Sequence, residues 1–379
     1  MKKNFLFAAV ALAAMTSCSN DEVVNVNNGD AISFRASLDK AISRSNVTSL
    51  ANLQAFNVTA IGNGNNYFTN LGVTSADGSN WVTGSTYYWP GFQLDFFAYA
   101  PQSIKDNVSV SNTEKCITTF TPNQAVAEQK DLVISYNNGN KVQNESKGVH
   151  LNFKHALSQI EVKALCANPN IEVEVLGVRI VNAATTAKFV FPEQETNSSY
   201  SLPMENWSGW TGANEPSNAY IVKGTEAVKL KSEPQSIMFG ENNFMLIPQQ
   251  LTAWDNTEAK SGAYLSVICR IYNVDGTNKI LLYPLATTGD AKEGKYGLSA
   301  VAIGTKWEPG KKYTYTLKFC DNGGGAGRID PNPNPTPDPS IDPTPIPDGK
   351  GGDPILGAPI KFTVSVEDWT PVSVDVTMN

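Results

Sequence analysis

Apolar and polar residues alternate with a period of two along much of the chain, and this pattern predicts strands. Ile32, Phe34, Ala36 and Leu38 fall on one side of Ala31–Leu38, with Ser33, Arg35 and Ser37 on the other. A polar break, Ser43-Arg44-Ser45-Asn46, follows. Leu53–Ile61 sets Phe56, Val58 and Ala60 on one face of a second strand, closed by a turn over Gly62–Asn66. Trp81-Val82 and Tyr87-Tyr88-Trp89-Pro90 flank a turn at Gly84. Phe92–Tyr99 is apolar on both faces, so it reads as a central, covered strand that Pro101 ends. Ile117–Phe120 and Leu132–Tyr136 are further strands, with a hairpin turn signal at Asn138-Gly139.

The phase of the alternation shifts within Val149–Leu165. Val149, Leu151, Phe153, His155 and Leu157 keep one phase, and Ile160, Val162 and Ala164 keep the other. A bulge, or a strand changing sheets near Ser158-Gln159, explains the shift, and a domain boundary is placed just before it. The second half repeats the style in Ile171–Val181, Lys188–Phe191, Ala219–Val222, Ile237–Ile247, Tyr264–Ile271, Lys279–Leu285 and Tyr313–Cys320. Asp275-Gly276 is the best hairpin turn in the chain. No segment has a convincing amphipathic helical period. Segments 122–131 and 286–301 leave room for a helical turn or two.

The two ends depart from this pattern. Lys2 and Lys3 precede a short apolar run, Phe5–Met15, and then Thr16-Ser17-Cys18. A basic end, a short apolar middle and a small-residue site make a secretory signal. The run is too short for a spanning helix, which needs roughly 20 residues. Residues 19–30 are polar and read as a tether. At the other end, Asp330–Asp348 is rich in proline, which fixes φ and removes the backbone donor. It is expected to stay out of any sheet, as a polyproline II spacer reaching roughly 50–60 Å. Beyond it, Ile360, Phe362, Val364 and Val366 alternate with polar residues in a strongly patterned strand, and Val372–Val376 follows.

Composition adds an extracellular cast. Only 17% of the 379 residues are charged, and the net charge is −7. That charge argues against nucleic acid, which needs a basic surface. Besides Cys18, the cysteines are Cys116, Cys166, Cys269 and Cys320, all in strand-like runs. An exported chain permits disulfides, and four cysteines allow three pairings; buried free thiols are the alternative. No CxxC, GxSxG, HExxH or phosphate-binding glycine loop is present, so no enzyme, metal or cofactor is expected. Trp207 and Trp210 lie in a polar, loop-like stretch. They either contact a ligand such as a host or bacterial glycan, or plug the end of a sandwich.

The small residues before Cys18 are similar to a bacterial lipoprotein signal, with Met15 standing where Leu is usual. The first strand AISFRASL with its Ser-Arg-Ser break, YYWPGFQLDFFAYAP, FKHALSQIEVKA, WEPGKKYTYTLKF and PIKFTVSVEDW follow in order. Together they resemble the fimbrillins of Bacteroides-type bacteria, lipoprotein pilus subunits. The resemblance covers essentially the whole mature chain. It implies an all-β fold of two tandem transthyretin-like β-sandwich domains with Greek-key-type sheets, plus the Pro-rich spacer and C-terminal strand. The expected division is 1–17 signal peptide, 18–30 tether, 31–150 and 151–320 sandwich domains, 321–354 linker and 355–379 C-terminal strands.

The resemblance also implies a life cycle. Lipidation at Cys18 anchors a precursor to the outer membrane. An arginine-specific protease then cuts after the first strand, which places the cut at Arg44 and the new N-terminus at Ser45. Arg35 lies inside a predicted strand and is the poorer candidate. Loss of the first strand opens a groove that a strand of another fimbrial subunit fills, giving an extracellular fimbrium. Two readings of the C-terminus stay open. Either Ile360, Phe362, Val364 and Val366 form the donor strand, or that strand folds back beside Tyr313–Phe319 in its own chain, leaving Val372–Val376 as a short donor. An anchored surface lipoprotein that binds glycan without polymerising is the other functional class.

Overall fold

The computed structural model describes residues 31–38, 48–240, 242–258, 260–285, 294–320, 325–333, 338–342 and 344–369. Where the residues alternate, strands form. The first part holds β1 (Phe34–Leu38), β2 (Ala55–Gly62), β3 (Asn65–Thr74), β4 (Val82–Thr83), β5 (Leu94–Ala100), β6 (Val108–Val110), β7 (Lys115–Phe120), β8 (Val133–Gly139) and β9 (Val149–His155). The chain continues into β10 (Ser158–Cys166), β11 (Ile171–Val181), β12 (Thr186–Val190), β13 (Trp207–Thr211), β14 (Tyr220–Lys229), β15 (Gln235–Ser236), β16 (Phe244–Leu246) and β17 (Gln249–Gln250). Then come β18 (Tyr264–Asp275), β19 (Asn278–Tyr283), β20 (Gly297–Ala302), β21 (Lys306–Trp307), β22 (Lys311–Phe319), β23 (Arg328–Ile329) and β24 (Lys361–Asp368).

A seven-stranded sheet, in the order β1-β9-β8-β5-β2-β3-β4, dominates the first part. β5 lies inside it between β2 and β8, as its two apolar faces require. Phe96 and Ala98 pack with Phe34, Phe56 and Trp81 on one face. Phe97 and Tyr99 turn to the other face and meet Ile117, Phe189 and Trp207 of a four-stranded sheet, β13-β12-β7-β6. This second sheet corrects the expected boundary at 150/151. Strands β12 and β13 come from the second half, yet β12 pairs with β7, with Phe189 opposite Ile117. The first sandwich is therefore completed by residues that follow β11. The pairing is non-local, and periodicity cannot report it.

The phase shift marks a change of sheet. β9 ends at His155, and β10 starts at Ser158 in a five-stranded sheet built on the order β15-β10-β22-β24, with β16 also pairing to β10. Facing it is a six-stranded sheet, β14-β11-β18-β20-β23, with β19 on β18. Ile160, Val162 and Tyr315 of one sheet meet Val173, Val175 and Val267 of the other in the largest core. The Asp275-Gly276 turn joins β18 to β19, with Gly276 at φ 58°, a left-handed conformation that glycine adopts without strain. The Asn138-Gly139 signal is not a tight hairpin. Gly139 ends β8, and one helical turn, α1 (Lys141–Asn144), intervenes, its first free N–H groups capped when Gln143 N donates to Asn140 Oδ1.

The expected spacer is the larger correction. Its described residues lie on the second sandwich. β23 pairs with β20, Ile341 bridges to Tyr296, and Ile341 is buried with Leu298 and Ile268. Proline cannot donate a ladder hydrogen bond, but its carbonyl can accept a hydrogen bond, as Pro345 O does from Leu285 N, and its ring can pack. The strap is fixed by one buried ion pair. Arg179 Nη2 lies 2.7 Å from Asp330 Oδ2, with side chains 5% and 0% exposed. Tyr264 OH donates to Asp330 Oδ1 at 2.9 Å, Asn332 N donates to the same oxygen at 2.8 Å, and Ser266 Oγ donates to Oδ2.

Buried tyrosines set the alkaline limit of this fold. Tyr99 OH accepts from Asn57 and donates to Asn70, both at 2.9 Å, and burial pushes its pKa up to about 12. Burial likewise pushes Tyr313 up to about 12. An unfolded tyrosine ionises near ~10, so as pH rises the unfolded chain loses its protons first. Urea unfolding is expected to show full stability to about pH 9 and a progressive loss between ~10 and ~12. A flat profile to pH 12 would contradict the burial of these phenols.

Candidate functional site

Among the described residues, the first strand, β1, and the last, β24, each end a sheet order. β1 is an edge strand. It runs parallel to β9, with Phe34 opposite Val149 and Leu38 opposite Phe153. Two backbone hydrogen bonds fix its start. Val149 N donates to Ser33 O at 2.8 Å, and Ile32 N donates to Tyr87 O at 2.7 Å. Ile32, Phe34 and Leu38 fill the core beneath it. Phe34 sits edge-on to Phe56 and Phe96, with ring centroids 6.3 and 5.7 Å away. Because β1 ends the sheet order, removing it breaks no ladder other than its own.

The loop that follows β1, residues 39–47 with Arg44 and Ser45, lies outside the described residues, as do Cys18 and the signal sequence. The chain resumes at Thr48, whose N–H donates to Asp131 Oδ2 at 3.1 Å.

The C-terminal strand pairs within its own chain in this structure. β24 runs antiparallel to β22, with Phe362 opposite Leu317, Val364 opposite Tyr315 and Val366 opposite Tyr313. It too is an edge strand. Ile360 is buried at its start, Phe362 and Val364 are half-buried on the core, and Val366 is 52% exposed. Most of the strand is exposed, so its hold is the ladder, a few apolar contacts and an ion pair between Asp368 and Lys311 of β22. At its end Trp369 is buried and stacks on His155, with centroids 4.4 Å apart and planes at 12°. His155 Nδ1 lies 2.7 Å from Asp131 Oδ2, the oxygen that also takes the Thr48 N–H. The exit of the loop after β1 and the end of β24 thus meet at one buried His–Asp pair. Nothing local in the sequence signals this junction, because its residues are far apart in the chain. Val372–Val376 lies outside the described residues.

The two tryptophans separate. Trp207 is buried, its Nε1 donates to Ala156 O at 2.9 Å, and its ring packs edge-on against Phe120 and Phe189. It has no face left for a ligand, so of the two readings open for this residue the structure agrees with packing and not with ligand contact. β13 takes it into the four-stranded sheet rather than into a loop. Trp210, also on β13, is 40% exposed, with Nε1 donating to Pro248 O at 2.9 Å. It borders a cleft of about 380 Å³ shared with Asn182, Asn214, Gln250 and Lys306. Among the described residues, no cluster of three His, Cys, Asp or Glu side chains is placed to hold a metal ion.

A family model described as fimbrillin-like matches residues 40–332. No curated protein matches the chain. Among solved structures, a Bacteroides uniformis protein named for cell adhesion is similar at 14% identity, over 90% of this chain and 100% of that one, with a TM-score of 0.45. One from Parabacteroides distasonis, also named for cell adhesion, is 12% identical over 88% of this chain and 98% of its own, with a TM-score of 0.46. A fimbrial protein from Bacteroides ovatus is 11% identical over 78% of this chain and 49% of its own, with a TM-score of 0.32.

Proposed function

The chain belongs to the fimbrillin-like family, whose members are structural and adhesive rather than enzymatic, and from that premise we propose that it is a fimbrial subunit assembled by strand exchange. In this reading the precursor is exported as a lipoprotein on Cys18 and reaches the outer membrane. An arginine-specific protease cuts after Arg44, and β1 leaves. A strand of another subunit then enters the groove against β9. The physics is strand addition: main-chain hydrogen bonds supply affinity, and alternate side chains filling pockets supply register.

The observation that carries the reading is a match between the two terminal strands. β1 presents Ile32, Phe34, Ala36 and Leu38 at alternate positions, and the C-terminal strand presents Ile360, Phe362, Val364 and Val366. Both series run isoleucine, phenylalanine, a small or branched residue and an aliphatic residue. The second series is therefore suited to the pockets the first vacates. Both strands are edges, so both can leave without breaking another ladder. On this reading the pairing of β24 with β22 is the resting state of the subunit, and Ile360–Val366 is the donor.

Two manipulations test it. Arg44→Ala is expected to keep the precursor N-terminus on cells and to abolish polymer, whereas the wild type shows Ser45 as its N-terminus. A chain lacking residues 355–379 is expected to form no polymer alone, yet to accept a donor from the full-length protein. Polymer formed by the truncated chain by itself would reject Ile360–Val366 as the donor.

A second reading has one observation in its favour. The half-exposed Trp210 at an amide-lined cleft has the makings of a glycan contact, with an aromatic face beside polar donors. Trp210→Ala is expected to abolish glycan-array binding if the protein is a lectin-like adhesin. Binding that survives the substitution would place any ligand elsewhere.

A further inference from the structure

The sequence leaves three cysteine pairings open, and the sheet register brings two thiols together. β10 and β22 run parallel, and their last paired residues are Cys166 and Phe319. Cys320 is the next residue along. Neighbouring strands lie about 4.8 Å apart, and one residue rises about 3.3 Å. The diagonal from Cys166 to Cys320 is then about 5.8 Å between Cα atoms, inside the ~4.4–6.8 Å that a disulfide spans. Simple alternation would turn Cys320 away from the core that Phe319 faces. Instead, its backbone takes a φ of 53°, and the side chain packs against the same core as Cys166. The Cys166 thiol beside it, together with burial, pushes the Cys320 thiol up.

The other cysteines are placed differently. Cys116 lies on β7, in a different sheet, where its thiol donates to Glu114 at 3.3 Å. Cys269 is fully buried on β18, in the sheet that faces β10 and β22 across the core. Both Cys166 and Cys320 are in the reduced, thiol form in this structure.

We propose that Cys166 and Cys320 are a disulfide-forming pair that staples the ends of β10 and β22. The oxidant is a protein or small-molecule disulfide of the kind an exported chain meets. The Cys320 thiolate attacks one sulfur of that disulfide and expels the other as a thiolate. The Cys166 thiolate then attacks Cys320 Sγ and displaces the remaining donor sulfur. The chain loses two protons and two electrons, and the donor leaves as two thiols. In the closed sheet, the Cys166 contact and burial both push the Cys320 thiol up, so attack is slow there. Oxidation therefore belongs to the folding chain.

The position of the staple gives it a purpose. β24 lies on the side of β22 away from β10. A bond between β10 and β22 fixes the strand that holds β24 while leaving β24 free to part. It also pins the point at which the strap leaves the sheet. A few residues on, Gly325 packs so closely against the Ala358 backbone that a Cβ there would overlap it.

The test is to refold the full chain in a glutathione redox buffer, block free thiols by alkylation and map the peptides without reduction. The expected result is a linked peptide pair containing Cys166 and Cys320, with Cys116 and Cys269 alkylated. Dithiothreitol is expected to lower the Tm of this protein by about 5–10 °C, and to leave the Tm of Cys320→Ser unchanged. Alkylation of both residues, glutathione capping of Cys320, or a link to Cys269 would overturn the proposal. The peptide map needs no variant, so it stands even where a serine substitution impairs folding.

Discussion

Asp330→Ala is expected to destabilise the protein by about 3–5 kcal/mol, the range for removing one partner of a buried ion pair. The side chain is fully buried and takes hydrogen bonds from Arg179, Tyr264, Ser266 and the backbone of Asn332. Its loss leaves the Arg179 guanidinium, 5% exposed, without its counter-charge in the sheet. Urea unfolding measures the effect directly, and a Tm lower by about 10 °C is its thermal counterpart. Replacing both partners with apolar residues, Arg179→Met with Asp330→Leu, is expected to recover most of the loss, because no charge is then stranded. The pair matters beyond its own energy. It fixes the strap that runs from β22 to β24, so Asp330→Ala is also expected to speed proteolysis within residues 326–342. A change below ~0.5 kcal/mol, the size of an ordinary surface substitution, would mean that the strap is not clamped in solution.

Phe34→Ala is expected to cost about 3–5 kcal/mol, the range for emptying a buried phenylalanine site. The ring is buried against Phe56 and Phe96, and the edge position of β1 gives it few other anchors. The cost is expected to fall on β1 itself. Hydrogen exchange at residues 149–153, the partners of β1, is expected to rise well before that of β5. If assembly requires β1 to leave, Phe34→Ala also accelerates polymer formation once the chain is cut. Protection at 149–153 equal to the wild type would mean that β1 is held by something other than Phe34.

The substitutions act on features that the sequence revealed unequally. β1, β5 and the β18–β19 hairpin were legible because their signals are local. Alternation sets the buried face of β1, a run apolar on both sides marks β5 as internal, and Asp275-Gly276 supplies the backbone a tight turn needs. The candidate exchange strands were legible for the same reason. The Arg179–Asp330 clamp was not. Both residues sit in unremarkable contexts far apart in the chain, and only folding the strap onto β18 and β20 brings them together. The polar surroundings of Trp207 left both of its readings open, because its burial depends on β12 and β7 across the sandwich.

By itself, the sequence determined the period of two, the strands it produces, the turns between them and the apolar series at both termini, because each depends on residues close along the chain. It also determined the fimbrillin-like character of residues 40–332. The tertiary structure alone decided which strands share a sheet: that β12 and β13 complete the first sandwich, that the proline-rich strap packs instead of spanning space, and that Cys166 meets Cys320. These outcomes follow from side chains distant in sequence competing for the same buried surface, and periodicity carries no information about which of them wins.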